Sequence, residues 1–513
     1  MRIFYLTSIH SATPTVLSTA MYHRRLVYSG VLATVAAAAS TVFCQPNRTS
    51  ASTASQSAQP SDILSAPLFQ RQPGPVSITL PPTLPPRPSH LHPLLAVVIV
   101  RHGARTPVMY LNGQSPADFA SLWGQCHAID ADAGGEIDPG ASGGRESEAP
   151  PEQLPQTKKA ADENATVPCG RGQLTQTGEK QLREIGAMLR RQYIEQDKLL
   201  PPTFIPAAVA IRSSNITRTR LSAVRLVQGL YPGTPLATVR SLLSVKPERE
   251  EDCYPMFKYC DRLRQLFHST LQHPLYQRYL DNDAVNSFHQ EADQLLVSAP
   301  FQPQPRQQQQ GSERKRSWIA LSDEVKCRQG EGLPLPAGVD EQMAARINRC
   351  AEFLFHSLLK AGEHDTEDRE EEVQAMLNDR HSVYNENARL GIGRYIQSGL
   401  LPIFQQATAS STSSFPRFHV HAGHDSSVIA IMNALGLDAA MGGQWPPFAS
   451  YIVMEVLADE RRDNKQFVRI VYNGELADMM EKEEWMRRMQ NVRVDYEKEC
   501  KAHGDEEVPP QLW

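Results

Sequence analysis

The chain has 513 residues, enough for a large hydrophobic core or for two domains. Its formal net charge of -5 argues against a nucleic-acid-binding protein, so any affinity for phosphate must come from local arginines. The eight cysteines include no Cys-x-x-Cys pair, so a zinc site is not expected. Their even number is compatible with disulfides and equally with buried thiols. No metal or other cofactor is predicted.

Residues 1–93 are predicted to be a targeting or anchor segment followed by a linker. Residues 1–61 contain no Asp or Glu but carry several arginines, which is typical of a transit peptide. Residues 26–43 are apolar and rich in alanine, so a secretory signal or a membrane anchor is an alternative. The compartment therefore stays open between mitochondrial and secretory or membrane-anchored, and membrane association is possible through this apolar segment. Residues 44–93 are rich in Ser, Gln and Pro and are predicted to be a linker.

The most informative stretch begins with a short apolar run, residues 94–100. Its β-branched residues predict a buried strand of a parallel sheet, with both faces covered. The run ends in Arg101-His102-Gly103-Ala104-Arg105-Thr106-Pro107. Open α/β sheets bind ligands at the carboxyl ends of their strands, so this cationic segment is a candidate binding site. Gly103 is expected to allow a close backbone approach or a positive φ.

Two arginines and a histidine in this pattern suit the binding and attack of a phosphate group. Guanidinium groups bind phosphate oxygens in bidentate fashion, and a neutral imidazole can act as a nucleophile. The pattern Arg-His-Gly-x-Arg-x-Pro resembles the signature of the histidine phosphatase superfamily, specifically its acid phosphatase branch. The resemblance implies an α/β fold, a phosphoglycerate-mutase-like three-layer α/β/α domain with a mainly helical inserted second domain. It also implies a reaction that needs no metal.

The rest of the chain fits this organisation. The first part of the α/β domain is predicted over residues 94–245, with a disordered insertion at residues 134–168 that is rich in Gly, Glu and Pro. A helical cap domain is predicted over residues 246–380, and the second part of the α/β domain over residues 381–478. A charged helical tail is predicted for residues 479–513.

Two further predicted strands also end in chemically active residues. One runs into Arg212, with Arg218 close behind, and the other leads to His424 and Asp425. The phosphate dianion needs cations, so Arg212 is predicted to join the two arginines of the first motif in a clamp. The family resemblance implies a supporting role for Arg218. His424 is predicted to donate a hydrogen bond to a phosphoryl oxygen. Asp425 is the predicted proton donor to the leaving group, and the base that later activates water.

The catalytic prediction is therefore a phosphomonoesterase in which His102 attacks phosphorus and forms a phosphohistidine. Three further segments, residues 172–175, 211–216 and 445–449, resemble members of this branch that act on lysophosphatidic acid. A lysophospholipid phosphate is the leading substrate, and a broad-specificity acid phosphatase or a phytase-like enzyme is the alternative. A catalytically silent phosphate-binding module is the competing class, although neither His102 nor Asp425 is missing. No nucleic-acid partner is expected.

Overall fold

The computed structural model describes residues 74–109, 114–127, 166–272, 283–297, 318–360, 386–407 and 415–502. All of them belong to one compact unit, Ala58–Trp513. Among these described residues, no helix combines the length and the apolar character needed to cross a bilayer. The predicted targeting segment and the Gln-rich tract lie outside the described residues.

A seven-stranded sheet forms the centre of the fold, in the order β5-β4-β6-β1-β7-β8-β9. The strands β5, β4, β6 and β1 run parallel, whereas β7, β8 and β9 add to the β1 edge in antiparallel fashion. The strand β1 is therefore parallel to β6 and antiparallel to β7, whereas the sequence predicted a strand of a parallel sheet. The strands are β1 (Leu91–Arg101), β4 (Val209–Ser213), β5 (Leu243–Val245), β6 (Phe418–Gly423), β7 (Tyr451–Asp459), β8 (Lys465–Tyr472) and β9 (Glu475–Glu481), and β2 (Gln125–His127) pairs with β3 (Thr166–Pro168) in a separate two-stranded sheet.

Helices cover both faces of the large sheet. In β1, Leu95, Val97 and Ile99 pack into one core, while Val98 and Val100 pack into the core on the opposite face. This alternation explains the unbroken apolar run, because every side chain from Leu95 to Val100 is buried. The predicted three-layer α/β/α fold is confirmed. The helices on one face are α2 (Gln176–Arg190), α3 (Thr217–Leu230) and α4 (Leu236–Ser241), and those on the other are α9 (Glu386–Tyr395), α10 (Leu401–Gln406), α11 (Asp425–Ala434) and α12 (Lys482–Asn491).

The stretch predicted as a helical cap contains four long helices in its described part. These helices, α5 (Asp261–Gln272), α6 (Asp283–Val297), α7 (Trp318–Glu331) and α8 (Glu341–Lys360), all contribute to a core that also includes Trp445 from the loop before β7. The helix α7 was not predicted, and it supplies residues to the candidate site described below. The remaining helices are α1 (Pro116–Trp123) and α13 (Tyr496–Glu499).

Two disulfides connect segments that are distant in sequence. Cys126 of β2 is bonded to Cys169 just after β3, and Cys260 is bonded to Cys500 near the end of the described chain. Residues 166–168, the last of the predicted insertion, therefore belong to a paired strand, and the rest of that insertion lies outside the described residues. Three further cysteines of the described chain are buried thiols, so both possibilities left open by the even count are realised.

Candidate active site

Three parallel strands bring the sequence motifs together at their carboxyl ends. Arg101, the last residue of β1, is paired in register with Gly423, the last residue of β6. The next amide, that of His102, donates to the carbonyl of Gly423 at 3.0 Å. On the other side of β6, the amide of Ser214 donates to the carbonyl of Ala422 at 3.0 Å. The segments after β1, β4 and β6 therefore start at the same edge of the sheet, as the sequence predicts.

Gly103 is needed for a close contact between the loop after β1 and the start of α2. A Cβ atom at Gly103 would lie 2.4 Å from the carbonyl oxygen of Gly178, and one at Gly178 would lie 2.1 Å from that of Ala104. The hydroxyl of Thr175 holds this junction, because it donates to the carbonyl of Ala104 at 3.0 Å and accepts from the amide of Gly178 at 3.2 Å. The motif glycine therefore serves helix packing and has no positive φ.

His102 is 2% exposed and presents a neutral imidazole. Burial, followed by the positive charge of Arg218 and then those of Arg101 and Arg105, holds the pKa of His102 well below its usual range. The Nδ1 atom lies 2.9 Å from the carbonyl oxygen of Gly103. A carbonyl can only accept, so Nδ1 carries the hydrogen and Nε2 keeps its lone pair. This tautomer is the one that a nucleophilic histidine requires.

The two arginines of the motif lie close to the same aromatic ring. The guanidinium carbons of Arg101 and Arg105 lie 4.4 Å and 5.9 Å from the centre of the Phe448 ring. Arg105 pairs with Asp323 of α7 at 2.7 Å, and its pKa is raised because this carboxylate outweighs the effect of burial. The Nε atoms of both arginines are buried and have no hydrogen-bond partner within the described chain, so each site arginine retains a donor that an oxyanion could accept.

Arg218, in the first turn of α3, supplies the third guanidinium. It is 7% exposed, and its charge is the one that acts most strongly on His102. Its Nη1 atom lies near Gly172, where a Cβ atom would be 3.4 Å away from it, and the amide of Gly172 donates to the carbonyl of Pro107 at 2.8 Å. Arg218 therefore stands beside the loop of the Arg-His-Gly motif.

Arg212 belongs to a different cluster, in contrast to the prediction that it completes the clamp. It forms an ion pair with Asp252, and its guanidinium carbon lies 5.0 Å from the ring centre of Tyr395. Burial, then His419 and then the positive charge of Arg212 hold the pKa of His421 well below its usual range. Arg212 is kept out of the clamp by its position in β4. It lies on the face of the sheet that α9 covers, and it pairs in register with His421 of β6.

A group of potential metal ligands adjoins Arg212. Glu251, Asp252 and Cys253 are the residues of the described chain whose ligand atoms cluster closely. Asp252 already pairs with Arg212 and with Lys246 at 2.6 Å. Glu251 accepts the amides of Asp252 and Cys253 at 2.9 and 2.8 Å. These carboxylates thus have cationic or amide partners from the protein itself.

His424 and Asp425 stand at the start of α11, where the His424 ring lies beside the imidazole of His102 and Asp425 contacts Arg101. The two histidine rings are 5.7 Å apart, and Nε2 of His424 lies 2.9 Å from the hydroxyl oxygen of Ser214. Asp425 pairs with Arg101 at 2.9 Å. Burial opposes ionisation, but Arg101 and then Arg105 overcome it and lower the pKa of Asp425 to about 2. Its side chain is 19% exposed, whereas that of Arg101 is 4% exposed, so the carboxylate lies toward the opening of the site.

Three site residues were not found by sequence reasoning. Trp445 donates its indole N–H to Asp425 at 3.0 Å, Asp323 holds Arg105, and Lys326 lies with its Nζ 3.8 Å from the centre of the Trp445 ring. Trp445 lies in residues 445–449. The sequence of this segment resembles family members, but it did not indicate a role for the tryptophan. Asp323 and Lys326 lie on α7, and no local motif marked them.

The geometry defines a class of α/β protein with a neutral histidine among three guanidinium groups and a carboxylate paired with one of them. The family model described as "Histidine phosphatase superfamily (branch 2)" matches residues 95–473. The chain therefore belongs to branch 2 of the histidine phosphatase superfamily, and the family prediction is confirmed.

Relatives are identical to this chain at about a quarter of the aligned residues. Counting factor 60 of Dictyostelium discoideum is 24% identical over 314 residues, which is 60% of this chain and 64% of that protein. Lysophosphatidic acid phosphatase type 6 of Homo sapiens is 26% identical over 306 residues, 59% of this chain and 60% of that protein. Lysosomal acid phosphatase of Bos taurus is 26% identical over 309 residues, 57% and 61% respectively. The matches span roughly three fifths of these relatives' length.

Among solved structures, the chain is similar to the Hafnia alvei phytase in complex with tartrate. That comparison has a TM-score of 0.48 and 14% sequence identity, and covers 81% of this chain and 100% of that chain.

Proposed function

We propose that this protein is a phosphomonoesterase that works through a phosphohistidine. The observation that carries the proposal is the state of His102, a buried neutral imidazole with its Nε2 lone pair available among three guanidinium groups. Phosphate esters resist hydrolysis because their negative charge repels nucleophiles. Arg101, Arg105 and Arg218 supply the compensating charge without needing a metal ion, and the imidazole supplies the nucleophile.

In the first half-reaction, Nε2 of His102 attacks phosphorus and the bond from phosphorus to the ester oxygen breaks. The leaving alkoxide takes a proton from Asp425, and His424 donates to a phosphoryl oxygen. In the second half-reaction, the Asp425 carboxylate accepts a proton from water, whose oxygen attacks phosphorus and releases His102 and inorganic phosphate. Asp425 ends this half-reaction protonated, and it gives the proton up to solvent once phosphate has left, because its pKa in the resting protein is lowered to about 2.

The electrostatics of the site favour activity in acid. With its pKa near 2, Asp425 is ionised in the resting protein, so the first proton must arrive with the substrate or from an acidic medium. A phosphate monoester loses its second proton with a pKa of about 6, so a monoanionic substrate can carry that proton into the site. Because burial and the arginines lower the pKa of His102, the nucleophile stays neutral under the same conditions.

Trapping the intermediate tests the proposal. Purified protein is mixed with a ³²P-labelled monoester and quenched in base, in which phosphohistidine survives. Label is expected on the wild type and on His92→Ala, a matched variant of a histidine whose side chain is 48% exposed. His102→Ala is expected to carry no label and to lose at least 10³-fold in kcat, since removal of a covalent nucleophile abolishes its pathway. Equal phosphate release by wild type and His102→Ala would leave a binding module as the better description.

The substrate proposed first is a lysophospholipid phosphate. Its support is the similarity to lysophosphatidic acid phosphatase type 6. A broad acid phosphatase or a phytase-like enzyme is the alternative, and lysosomal and testicular acid phosphatases are also among the relatives. Phosphate release from lysophosphatidate, inositol phosphates and sugar phosphates separates these substrates. A kcat/KM for lysophosphatidate no higher than for the other esters would argue for the alternative.

The cellular location is proposed to depend on residues 1–61, which carry arginines and no acidic residue. A mitochondrial transit peptide and a secretory signal or anchor are the two possibilities. Fractionation of cells that express the full chain with a C-terminal tag, and a variant lacking residues 1–61, tests them. Membrane association that persists without this segment would exclude it as the anchor.

A further inference from the structure

The side chain of Gln181 joins the loop after His102 to an N-terminal segment of the described chain. Gln181 lies on α2, three positions after Gly178, where a Cβ atom would be 2.1 Å from the carbonyl oxygen of Ala104. Its Oε1 atom accepts the amide of Ala104 at 2.8 Å, and its Nε2 atom donates to the hydroxyl of Ser77 at 3.2 Å. A backbone amide can only donate, so the side-chain oxygen must face Ala104 and the nitrogen faces Ser77.

The amide that Gln181 accepts belongs to the same peptide unit that orients His102. The nitrogen of Ala104 and the carbonyl of Gly103 share one peptide bond, and that carbonyl oxygen lies 2.9 Å from Nδ1 of His102. A peptide unit is planar, and in its trans form the N–H and C=O point in opposite directions. Fixing the N–H of Ala104 therefore fixes the direction of the carbonyl that accepts the hydrogen on Nδ1. Hydrogen bonds in such a chain also polarise one another.

This peptide unit needs a support, because the glycine on one side of it has wide conformational freedom. If the unit turned away, Nδ1 of His102 would lose its acceptor and the hydrogen could move to Nε2. The lone pair that attacks phosphorus would then be lost, since the hydrogen bond made by one ring nitrogen decides which nitrogen is protonated. Ala104 is 0% exposed, so solvent does not reach its amide in place of Gln181.

Gln181 is held from its other side by a fixed segment. Ser77 pairs with Phe448 in a parallel bridge, and the amide of Phe448 donates to the carbonyl of Val76 at 2.8 Å. The hydroxyl that receives the Gln181 amide group is therefore anchored to the loop before β7. This contact keeps the Oε1 atom turned toward the motif loop.

The phosphate clamp has supports of its own. Arg105 is held by Asp323 at 2.7 Å, and the next amide, that of Thr106, donates to the carbonyl of Gln173 at 3.0 Å. Neither contact involves the Gly103–Ala104 peptide. Loss of the Gln181 side chain is therefore expected to affect the nucleophile more than the binding of phosphate.

We propose that Gln181 is a positioning residue for the nucleophile, which holds the Gly103–Ala104 peptide so that neutral His102 keeps its hydrogen on Nδ1. This inference rests on the proposed phosphatase function, in which Nε2 of His102 attacks phosphorus. Gln181 acts through the peptide unit, and its role requires no contact with the substrate.

Variants of the full chain test this role by spectroscopy. Gln181→Met removes both hydrogen bonds at similar side-chain size, whereas Gln181→Glu keeps an acceptor for the amide of Ala104. The ¹⁵N spectrum of protein labelled at histidine nitrogens reports the tautomer, and His102→Ala identifies the signal of His102. The wild type and Gln181→Glu are expected to show the Nδ1–H form at neutral pH. Gln181→Met is expected to show a mixture with the Nε2–H form.

Steady-state kinetics give the second readout. Gln181→Met is expected to lower kcat about 10- to 100-fold, less than the loss of about 10⁴-fold that follows when a catalytic histidine is held in the wrong tautomer throughout. KM and the inhibition constant of inorganic phosphate are expected to change less than about threefold, because the clamp is intact. Gln181→Asn, whose side chain is one carbon shorter, withdraws the same acceptor and is expected to behave alike. The control Gln176→Met changes an exposed glutamine of the same helix, which donates to the carbonyl of Gln125 at 3.3 Å, and is expected to match the wild type.

Several results would overturn the assignment of Gln181. One is a His102 that stays wholly in the Nδ1–H form in both Gln181→Met and Gln181→Asn, and another is a Gln181→Glu variant as slow as Gln181→Met. A rise in KM and in the phosphate inhibition constant that matches the loss of kcat would indicate damage to the whole loop instead. The spectra require no turnover, so they test Gln181 even if the wild type hydrolyses no ester, in which case the phosphatase proposal fails by itself.

Discussion

At the scale of single residues, the site depends on which arginine faces the imidazole. Arg218 contributes the strongest positive charge at His102, whereas Arg212 pairs with Asp252 on the face covered by α9. The sequence shows both arginines just after a strand, but it does not show that Arg218 lies within the first turn of α3. That turn begins after a three-residue connection from the end of β4, and it returns the guanidinium to the sheet edge.

Replacing each arginine by glutamine separates their roles. Arg218→Gln is expected to lower kcat/KM about 10²- to 10³-fold, the usual loss when one charge-stabilising donor is removed. Arg212→Gln is expected to lower activity less than tenfold but to reduce the melting temperature more, because the buried Asp252 then loses one of its two cationic partners and keeps only Lys246 as the other. Steady-state kinetics and thermal unfolding check both. A larger kinetic loss in Arg212→Gln would restore the original assignment of that arginine to the clamp.

The acid role of Asp425 predicts a dependence on the leaving group. Asp425→Asn keeps the shape of the side chain and an oxygen that can accept from Trp445, but it has no proton to give. Formation of phosphohistidine from an alkyl phosphate is expected to slow about 10²- to 10⁴-fold. Formation from p-nitrophenyl phosphate, whose phenolate leaves without a proton, is expected to slow much less. Single-turnover measurements isolate this step, and equal slowing with both esters would rule out Asp425 as the general acid.

At the scale of helices and strands, the elements that can be predicted from the sequence are those whose hydrophobic pattern matches their burial in the fold. The apolar run of β1 is buried on both faces, so its composition was a reliable guide. The edge strand β9 carries three acidic residues and is held by pairing to β8, which its own sequence does not reveal. The helix α7 buries Glu324 and Lys326 beside Leu321 and Val325, so its apolar stripe is interrupted. One of the buried charged residues that interrupt this stripe, Lys326, also lies at the candidate site.

The junction between the motif loop and α2 yields a prediction at this scale. Gly178→Ala would place a Cβ atom 2.1 Å from the carbonyl oxygen of Ala104, and both partners are backbone. We expect a destabilisation of about 1–3 kcal/mol or more, together with lower activity, since the loop carrying His102 must shift. Gly170→Ala is the control, because the nearest atom would be 3.6 Å away. Urea unfolding and phosphate release measure the two effects, and tolerance of alanine at both positions would contradict the close packing.

At the scale of the whole molecule, burial in and beside the sheet keeps several histidines neutral. His419 and His421 of β6 are buried, as is His102. Burial lowers the pKa of His419 to about 4, while its Nε2 lies 3.0 Å from the carbonyl oxygen of Pro416. The unfolded chain binds protons at these positions near pH 6.5, whereas the native protein does not. Acid therefore favours unfolding, even though the chemistry of the site favours acid.

The sign of this linkage gives a measurable pH dependence. The free energy of unfolding is expected to be greatest above pH 6.5 and to fall as the pH drops toward 4, where His419 becomes protonated in the native state too. His419 alone accounts for about 3 kcal/mol of this loss, at 1.36 kcal/mol for each unit of pKa. Asp425 contributes little in this window, because its pKa of about 2 and that of an unfolded aspartate both lie below it. Urea unfolding at pH 7, 5.5 and 4 should therefore show a shallower decline for His419→Gln, while His92→Gln, at an exposed position, keeps the wild-type slope. A His419→Gln slope that matches the wild type would mean that other groups bind the protons.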